Sequence, residues 1–312
     1  MRRPCEGSVD GLMLLDKALG SSSNQALQQL RRLFSRVKAG HGGTLDPLAT
    51  GMLPIALGDA TKFLHGLLDA DKTYEASLNL GQSSSTGDAE GVLSDWSDPK
   101  PFLHRLSSVL ERFKGPQNQT PPMYAALKHE GKALYAWARE GIEVPRKPRA
   151  IVIHQLDILD MVQYDASSGE RTCLRVRVHC SKGTYIRSLA HDIGQALGCG
   201  AYLAGLRRTA VAHFKEDQML SLDQLEPLDQ AARNAFLLPT DALLLDLNRL
   251  DLDDDSARRL IQGQRLSSEA HGAQGLVGPV RLYRSSGGLL GTGSIDERGV
   301  LAAQRLVAQK SI

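Results

Sequence analysis

The sequence predicts an α+β chain, a larger unit with interleaved strands and helices followed by a small β-rich one. Three observations predict it. Lys72 to Leu80 and Thr172 to Cys180 carry apolar side chains at every second position, as strands with one buried face do. The stretches after Ser22 and after Tyr185 carry them at helical spacing. Past Thr209 the texture changes, and short apolar runs alternate with turns such as Gly287-Gly288 and Asp296-Glu297-Arg298-Gly299.

Taken in order, Gly11 to Lys17 reads as a strand. Ser22 and Gln25 form a capping box that opens a helix with Ala26, Leu27, Leu30, Leu33 and Phe34 on one face. Lys72 to Leu80 follows, with Tyr74 on the side of Ala76. Gly81 to Gly91 is a polar, turn-rich stretch holding Asp88. Phe102, Leu103, Leu106, Leu110 and Phe113 have the spacing of one helix, stopped by Gly115-Pro116. A mixed segment with a short helix near Ala133 to Arg139 leads to Pro148. In the strand Thr172 to Cys180, Leu174, Val176, Val178 and Cys180 face one way and Arg175, Arg177 and His179 the other. Lys182-Gly183-Thr184 then turns into a helix with Ile186, Leu189, Ala190, Ile193 and Leu197 on its apolar stripe, closed by Gly198; Tyr185 and Arg187 sit beside that stripe. Ala231 to Leu238 is helix-like, and a short helix after the acidic run Asp251 to Asp255 ends at Gly263. Leu276 to Tyr283, Leu289 to Thr292 and Val300 to Ala303 are the tail's strands.

Length and composition bound the function. At 312 residues the chain exceeds one typical domain. A net charge of +2 gives no claim on a polyanionic partner. The distribution says more. Arg31, Arg32, Arg36 and Lys38, then Lys128 and Lys132, then Arg146, Lys147 and Arg149, then Arg207 and Arg208 are expected to line one face, with the acidic run elsewhere. No apolar run approaches the roughly 20 residues that cross a bilayer. Met1 to Glu6 leads into Gly and Ser, unlike a secretory leader, so a cytoplasmic location is expected. Cys5, Cys173, Cys180 and Cys199 lack metal-site or disulfide-framework spacing, and are expected to be reduced thiols with no zinc.

The stretch that carries chemistry is Gly40 to Gly51. Four glycines, one proline and two threonines in twelve residues predict a loop. Apolar runs on its far side, Met52 to Leu57 and Ala60 to Leu68, anchor it to core. Inside it are the carboxylate Asp46, restricted by Pro47, and the imidazole His41. A rigidly mounted loop is where function concentrates.

These residues resemble a known family. Gly40-His41 through Leu45-Asp46-Pro47-Leu48-Ala49-Thr50-Gly51-Met52-Leu53-Pro54, then Gly58-Asp59-Ala60-Thr61-Lys62, resembles the signature of the TruB family of tRNA pseudouridine synthases in its stand-alone bacterial form. Leu14-Leu15-Asp16-Lys17, Asp71-Lys72-Thr73-Tyr74, Met123 to Lys128, Cys180 to Arg187 and Leu206-Arg207-Arg208 extend the likeness from Gly11 to Thr209. Ala18 stands where the family usually has proline, Gly42 where it has threonine and Ser85 where it has an acid. The change at Gly42 is expected to loosen the loop.

The resemblance implies a pseudouridine synthase fold, with a central mixed β-sheet flanked by helices over residues 1–250. An arm at about 95–150 would cover the RNA, and residues 251–312 would form a PUA-like RNA-binding domain. It implies isomerisation of the uridine at position 55 in the tRNA T loop, without metal or organic cofactor. Asp46 would be the catalytic carboxylate. Arg187 would be its cation, with Arg207 the second candidate and Lys17 a supporting residue. Tyr74, Tyr185 and Leu206 would hold the flipped base, and His41 would fill the space the base leaves. The tRNA T-arm is the expected partner of a monomer that needs no guide RNA and no membrane. Two rivals are an RNA-binding or RNA-folding protein in which Asp46 is idle, and a glycosidase with paired carboxylates. The intact loop with Tyr74 and Arg187 argues against the first. The second lacks an acid in a comparable setting, Asp88 being in a polar turn.

Overall fold

The computed structural model describes residues 9–163 and 171–308; Cys5 and the Met1 to Glu6 leader reading lie outside them. The chain runs β1 (Gly11–Lys17), α1 (Ser23–Leu33), β2 (Ala39–His41), β3 (Ala49–Leu57), a 3-10 helix Gly58–Phe63, α2 (His65–Asp69) and β4 (Lys72–Leu80). It continues with a 3-10 helix Lys100–Arg105, α3 (Leu106–Glu111), β5 (Gly115–Gln119), the two-residue strands β6 (Lys128–His129) and β7 (Lys132–Ala133), and α4 (Leu134–Arg139). Then come β8 (Arg149–Val162), β9 (Cys173–Cys180), α5 (Ile186–Leu197), β10 (Ala201–Val211), β11 (Phe214–Lys215), α6 (Leu222–Leu225) and α7 (Gln230–Ala235). The last elements are β12 (Asn248–Leu252), α8 (Asp254–Ile261), β13 (Leu266–Ser267), β14 (Gly278–Arg284), β15 (Leu289–Ile295) and β16 (Val300–Leu306).

The larger unit is a nine-stranded mixed sheet in the order β1-β3-β10-β4-β9-β8-β5, with β2 on β3 and β11 on β10. Among the described strands of this sheet only β10 and β3 run parallel, Leu206 opposite Ala49. Ser22 caps α1 with the expected capping box, and Gly198 in the left-handed conformation closes α5. The apolar stripe of α5 packs on Leu78, Val176, Val178 and Leu203, so the helix sits over the middle of the sheet. The α1 stripe packs on Leu15, Leu53 and Ile55.

Several expectations give way. The spacing of Phe102 to Phe113 is broken into a 3-10 turn and α3, with Pro101 in the first turn of the former. Asn248–Leu252 pairs in parallel with β14, so a division at residue 250 falls inside a strand of the second unit. Within the acidic run, Asp253 caps α8 by accepting from Ser256 N at 2.9 Å. The second unit is a five-stranded sheet, β12-β14-β15-β16-β13, with its own core around Leu250, Leu260, Leu282 and Leu301. It is seated on the first: Leu289 and Val307 pack on the cluster of Leu12, Leu14 and Phe63, and Lys62 Nζ donates to Leu306 O at 2.8 Å.

Candidate active site

Strand pairing trims the expected loop at both ends. Gly40 and His41 pair with Ala56 and Ile55, and Ala49 to Gly51 begin β3, which leaves residues 42–48 as the irregular segment. That segment is held firmly. Leu45 exchanges two hydrogen bonds with Ser23 Oγ, its carbonyl accepting at 2.9 Å and its N–H donating at 2.7 Å, and Gly20 N donates to Pro47 O at 2.9 Å. Gly42 does not loosen it. A Cβ there would lie 3.0 Å from Leu67, so close packing explains the glycine. Gly51 has φ +93°, and a Cβ on it would fall 2.3 Å from Arg208 O; only glycine fits.

Two buried arginines flank the segment. Arg208, 1% exposed, donates from Nε to Met52 O at 2.7 Å and from its two terminal nitrogens to Gly43 O at 3.2 Å and Thr44 O at 3.4 Å. Arg187 is also buried. One terminal nitrogen lies 2.9 Å from Asp46 Oδ2 and donates to Tyr124 O at 2.7 Å, while Nε stands 3.7 Å from Asp88 Oδ2. The arm and the turn around Gly87 cover this first-turn arginine, which its place beside the apolar stripe did not foretell. Gly87 has φ +78°, and a Cβ on it would touch Arg187 Cβ at 3.4 Å, an ordinary contact, so the backbone conformation and not crowding favours the glycine.

Asp88 corrects the expectation that it is an ordinary turn residue. Its side chain is 6% exposed, and Oδ1 accepts from Thr86 Oγ1 at 2.5 Å and Glu90 N at 3.1 Å. The second carboxylate therefore exists, but it faces the far side of Arg187 and lines neither wall of the cleft with Asp46. Arg207 is not a cation for Asp46. It chelates Asp16 with bonds of 3.0 and 2.8 Å and stands 3.7 Å from Glu216.

Asp46, Tyr74, Tyr185, Arg187 and Leu206 line one cavity of about 330 Å³, closed on the arm side by Tyr124 to Leu127. The Asp46 side chain is 47% exposed to it. Burial raises the phenol pKa of Tyr74 and of Tyr185, so both are neutral near pH 7. His41 and Lys17 lie behind the wall. Burial and the nearby Arg208 charge lower the His41 pKa, which keeps the ring neutral, and its Nδ1 is buried without a partner. Lys17 is 1% exposed and donates to Ala18 O at 3.0 Å and Ser21 O at 2.6 Å, so it fixes the turn that Gly20 bonds to Pro47. Burial lowers its pKa against the opposing pull of Asp46.

The basic clusters do not form one free face. Arg208 is buried, Arg207 is paired, Arg146 binds Glu143 and Lys132 binds Glu140. Among the described residues no three His, Cys, Asp or Glu side chains converge to hold a metal ion, and no helix is long and apolar enough to cross a membrane.

Known proteins share this fold. The solved structure titled "Crystal Structure of a Cbf5-Nop10-Gar1 Complex" matches with a TM-score of 0.67 and 26% identity over 93% of this chain and 79% of that one. Another, of an H/ACA RNP bound to a substrate RNA containing 2'-deoxyuridine, matches with a TM-score of 0.68 at 24% identity, over 96% of this chain and 85% of that one. Residues 31–186 match the N-terminal domain of the TruB family pseudouridylate synthases, which defines the class as pseudouridine synthase. Residues 187–245 match the tRNA pseudouridylate synthase B C-terminal domain and residues 249–307 the C-terminal unit of pseudouridine synthase II TruB. Proteins named tRNA pseudouridine synthase B from Methylobacillus flagellatus and Dechloromonas aromatica are 49% and 50% identical over 97% and 96% of this chain, and 96% of each relative. The chain belongs to the TruB family.

Proposed function

We propose that the protein isomerises uridine to pseudouridine at position 55 in the tRNA T loop, with Asp46 as the catalytic carboxylate. One observation carries this reading: the ion pair of Asp46 with Arg187, 2.9 Å long, opens into a cavity of about 330 Å³ walled by Tyr74, Tyr185 and Leu206. That volume is at the small end of ligand cavities and suits one flipped base with its ribose. A uridine in a folded loop enters it only by leaving its stack, at about a few kcal/mol, and stacking on Tyr74 returns about 1–3 kcal/mol.

Within the cavity the N1–C1′ bond of the uridine breaks, the base turns, and a C5–C1′ bond forms. C5 gives up its proton and N1 gains one, so no atom is added or lost. Asp46 is placed to attack C1′ or the uracil ring, or to stabilise positive charge on the sugar as the bond breaks. Arg187 orients the carboxylate. Tyr74, a neutral phenol, is the base's stacking partner and a relay for the C5 proton; Tyr185 and Leu206 are walls. His41 fills the space that the departing base leaves, and Lys17 holds the loop.

The same reading makes the protein a cytoplasmic monomer that acts on the T-arm without a guide RNA, its arm at about 95–150 covering the RNA and its C-terminal unit giving a PUA-like RNA contact. In support, the relatives named tRNA pseudouridine synthase B match almost end to end. The test is Asp46→Asn, which keeps shape and removes charge and nucleophilicity. Turnover on a T-arm stem-loop is expected to vanish with folding and tRNA binding intact. Measurable turnover by the variant would sink the assignment and favour an RNA-binding role.

A further inference from the structure

The five-stranded sheet buries one face in its own core and turns the other toward the seam between the units. Strand register lays that outer face out in rows. Tyr283 and Leu289 are paired in the row at the seam; Leu289 packs on the first unit, and Tyr283 Oη donates to Asp241 Oδ2 at 2.6 Å. In the next row Arg249 stands opposite Arg281, Arg281 opposite Thr292, and Thr292 opposite Arg305. Alternation confirms the side, since Leu250, Val280 and Leu282 point into the core. Three arginines thus cross four neighbouring strands, about 14 Å from end to end at roughly 4.8 Å per strand.

These charges are unequally matched. Arg249 is chelated by Asp251, with bonds of 2.8 to 3.2 Å, and its guanidinium lies 4.1 Å over the Tyr283 ring. Arg281 and Arg305 have no hydrogen bond or ion pair among the described residues, and Arg281 Nε is buried without a partner. Arg281 is half-buried and Arg305 exposed, so neither charge is neutralised by the protein and both are open to an anion. Thr292, between them, is itself buried, so an anion would meet the two guanidinium groups above it.

The geometry points to a phosphate-binding track, Arg249–Arg281–Thr292–Arg305, that takes the backbone of tRNA outside the T loop. The identity of the polyanion rests on the proposed function. The distance rests on the fold. β3 starts at Ala49, three residues beyond Asp46, and ends at Leu57, about 27 Å away. Lys62, which bonds Leu306 beside Arg305, lies just past that far end. RNA that reaches both Asp46 and the track therefore extends well beyond the flipped nucleotide and its neighbours.

The test compares binding of full-length unmodified tRNA and of an isolated T-arm stem-loop to the full chain. For the double variant Arg281→Glu with Arg305→Glu, the tRNA dissociation constant is expected to rise at least tenfold and the log–log salt slope to fall by about two, one for each lost phosphate contact. The stem-loop constant should change less than twofold. Arg281→Lys with Arg305→Lys should keep the slope, which separates charge from folding. A wild-type tRNA affinity and slope retained by the Glu variant overturn the track and give the row to an acidic protein partner. Equal weakening on both RNAs also overturns it, because the row would then act through the first unit. If the wild type neither binds tRNA nor modifies the stem-loop, the functional reading itself has failed.

Discussion

Arg187 and Arg208 are both buried beside the same short loop, yet they are neutralised in opposite ways. Arg208 has three backbone carbonyls, from Gly43, Thr44 and Met52, and no carboxylate in contact. Its guanidinium ties the loop to β3 and also stands against the Tyr74 hydroxyl. Arg187 has two carboxylates, Asp46 at 2.9 Å and Asp88 at 3.7 Å, and its fixed contact to the arm is a single carbonyl. A buried cation on carbonyls is a scaffold. On the proposed function, a buried cation shared by a sealed carboxylate and a half-exposed one holds the second ready for a substrate.

The largest effect expected from this contrast is on folding. Arg208→Met leaves three carbonyls without their donor, and hydrogen bonds to a charged group are worth about 1.5–3 kcal/mol each. A loss of about 3–5 kcal/mol is expected, on the order of 10 °C in Tm for a unit of this size. Circular dichroism melting checks it. A variant that melts like the wild type would show that the carbonyls find other donors, and the scaffold reading fails.

Arg187→Ala should act on turnover. A drop of about 10²–10³-fold is expected, the range for removing one preorganised charge partner at a reacting site, with tRNA affinity changed only a few-fold. Added guanidinium ion should restore part of the rate, which a merely structural role would not allow. Normal turnover at saturating RNA would break the contrast between the two arginines.

Asp88→Asn should be milder. The amide keeps an acceptor for Thr86 and Glu90 but no longer shares the Arg187 charge, so the cation is free to settle fully on Asp46. Turnover should fall about tenfold with unchanged Tm. Single-turnover assays on a T-arm stem-loop measure it, and a rate equal to the wild type would leave Asp88 a turn residue.

How much of this was legible depends on where the chain keeps its period. β1, α1, β4 and α5 were readable to within a residue because their apolar spacing is unbroken and α1 and α5 carry explicit caps. β8 and β10, both interior strands of the sheet, were not. Each has two register shifts, at Ile153/Gln155 and Ile158/Asp160 and at Leu203/Gly205 and Arg208/Ala210, and a bulge moves every later side chain to the other face. The same irregularity hid Arg208, which alternation alone would have left on a surface. Asp88 was hidden differently: local sequence shows a polar turn, and only the packing of that turn onto α5 buries it. Asp46 and Arg187 meet across 141 residues of chain, a contact that the family resemblance implied and spacing does not contain.

A third buried cation sharpens the comparison, because unlike an arginine it can discharge. Lys72, 8% exposed, donates to Leu67 O at 2.9 Å, Leu68 O at 3.0 Å and Ala70 O at 2.5 Å, closing the end of α2 much as Arg208 closes the loop. Burial, helped by the Arg208 charge, pushes its pKa down from 10.5 to about 8. The folded pKa is therefore the lower one. Below about pH 8 both states hold the proton, and the folded state carries the full penalty of a buried ammonium. Between about 8 and 10.5 only the unfolded chain keeps it, so this residue makes stability rise with pH, by at most about 1.4 kcal/mol per unit. The three carbonyls favour the ammonium and reduce that slope. Urea midpoints of the wild type and Lys72→Met, measured from pH 7.5 to 10, should diverge, with the wild type gaining relative to the variant as pH rises. If the two curves stay parallel, Lys72 remains charged on its carbonyls throughout, and lysine and arginine behave alike in this core.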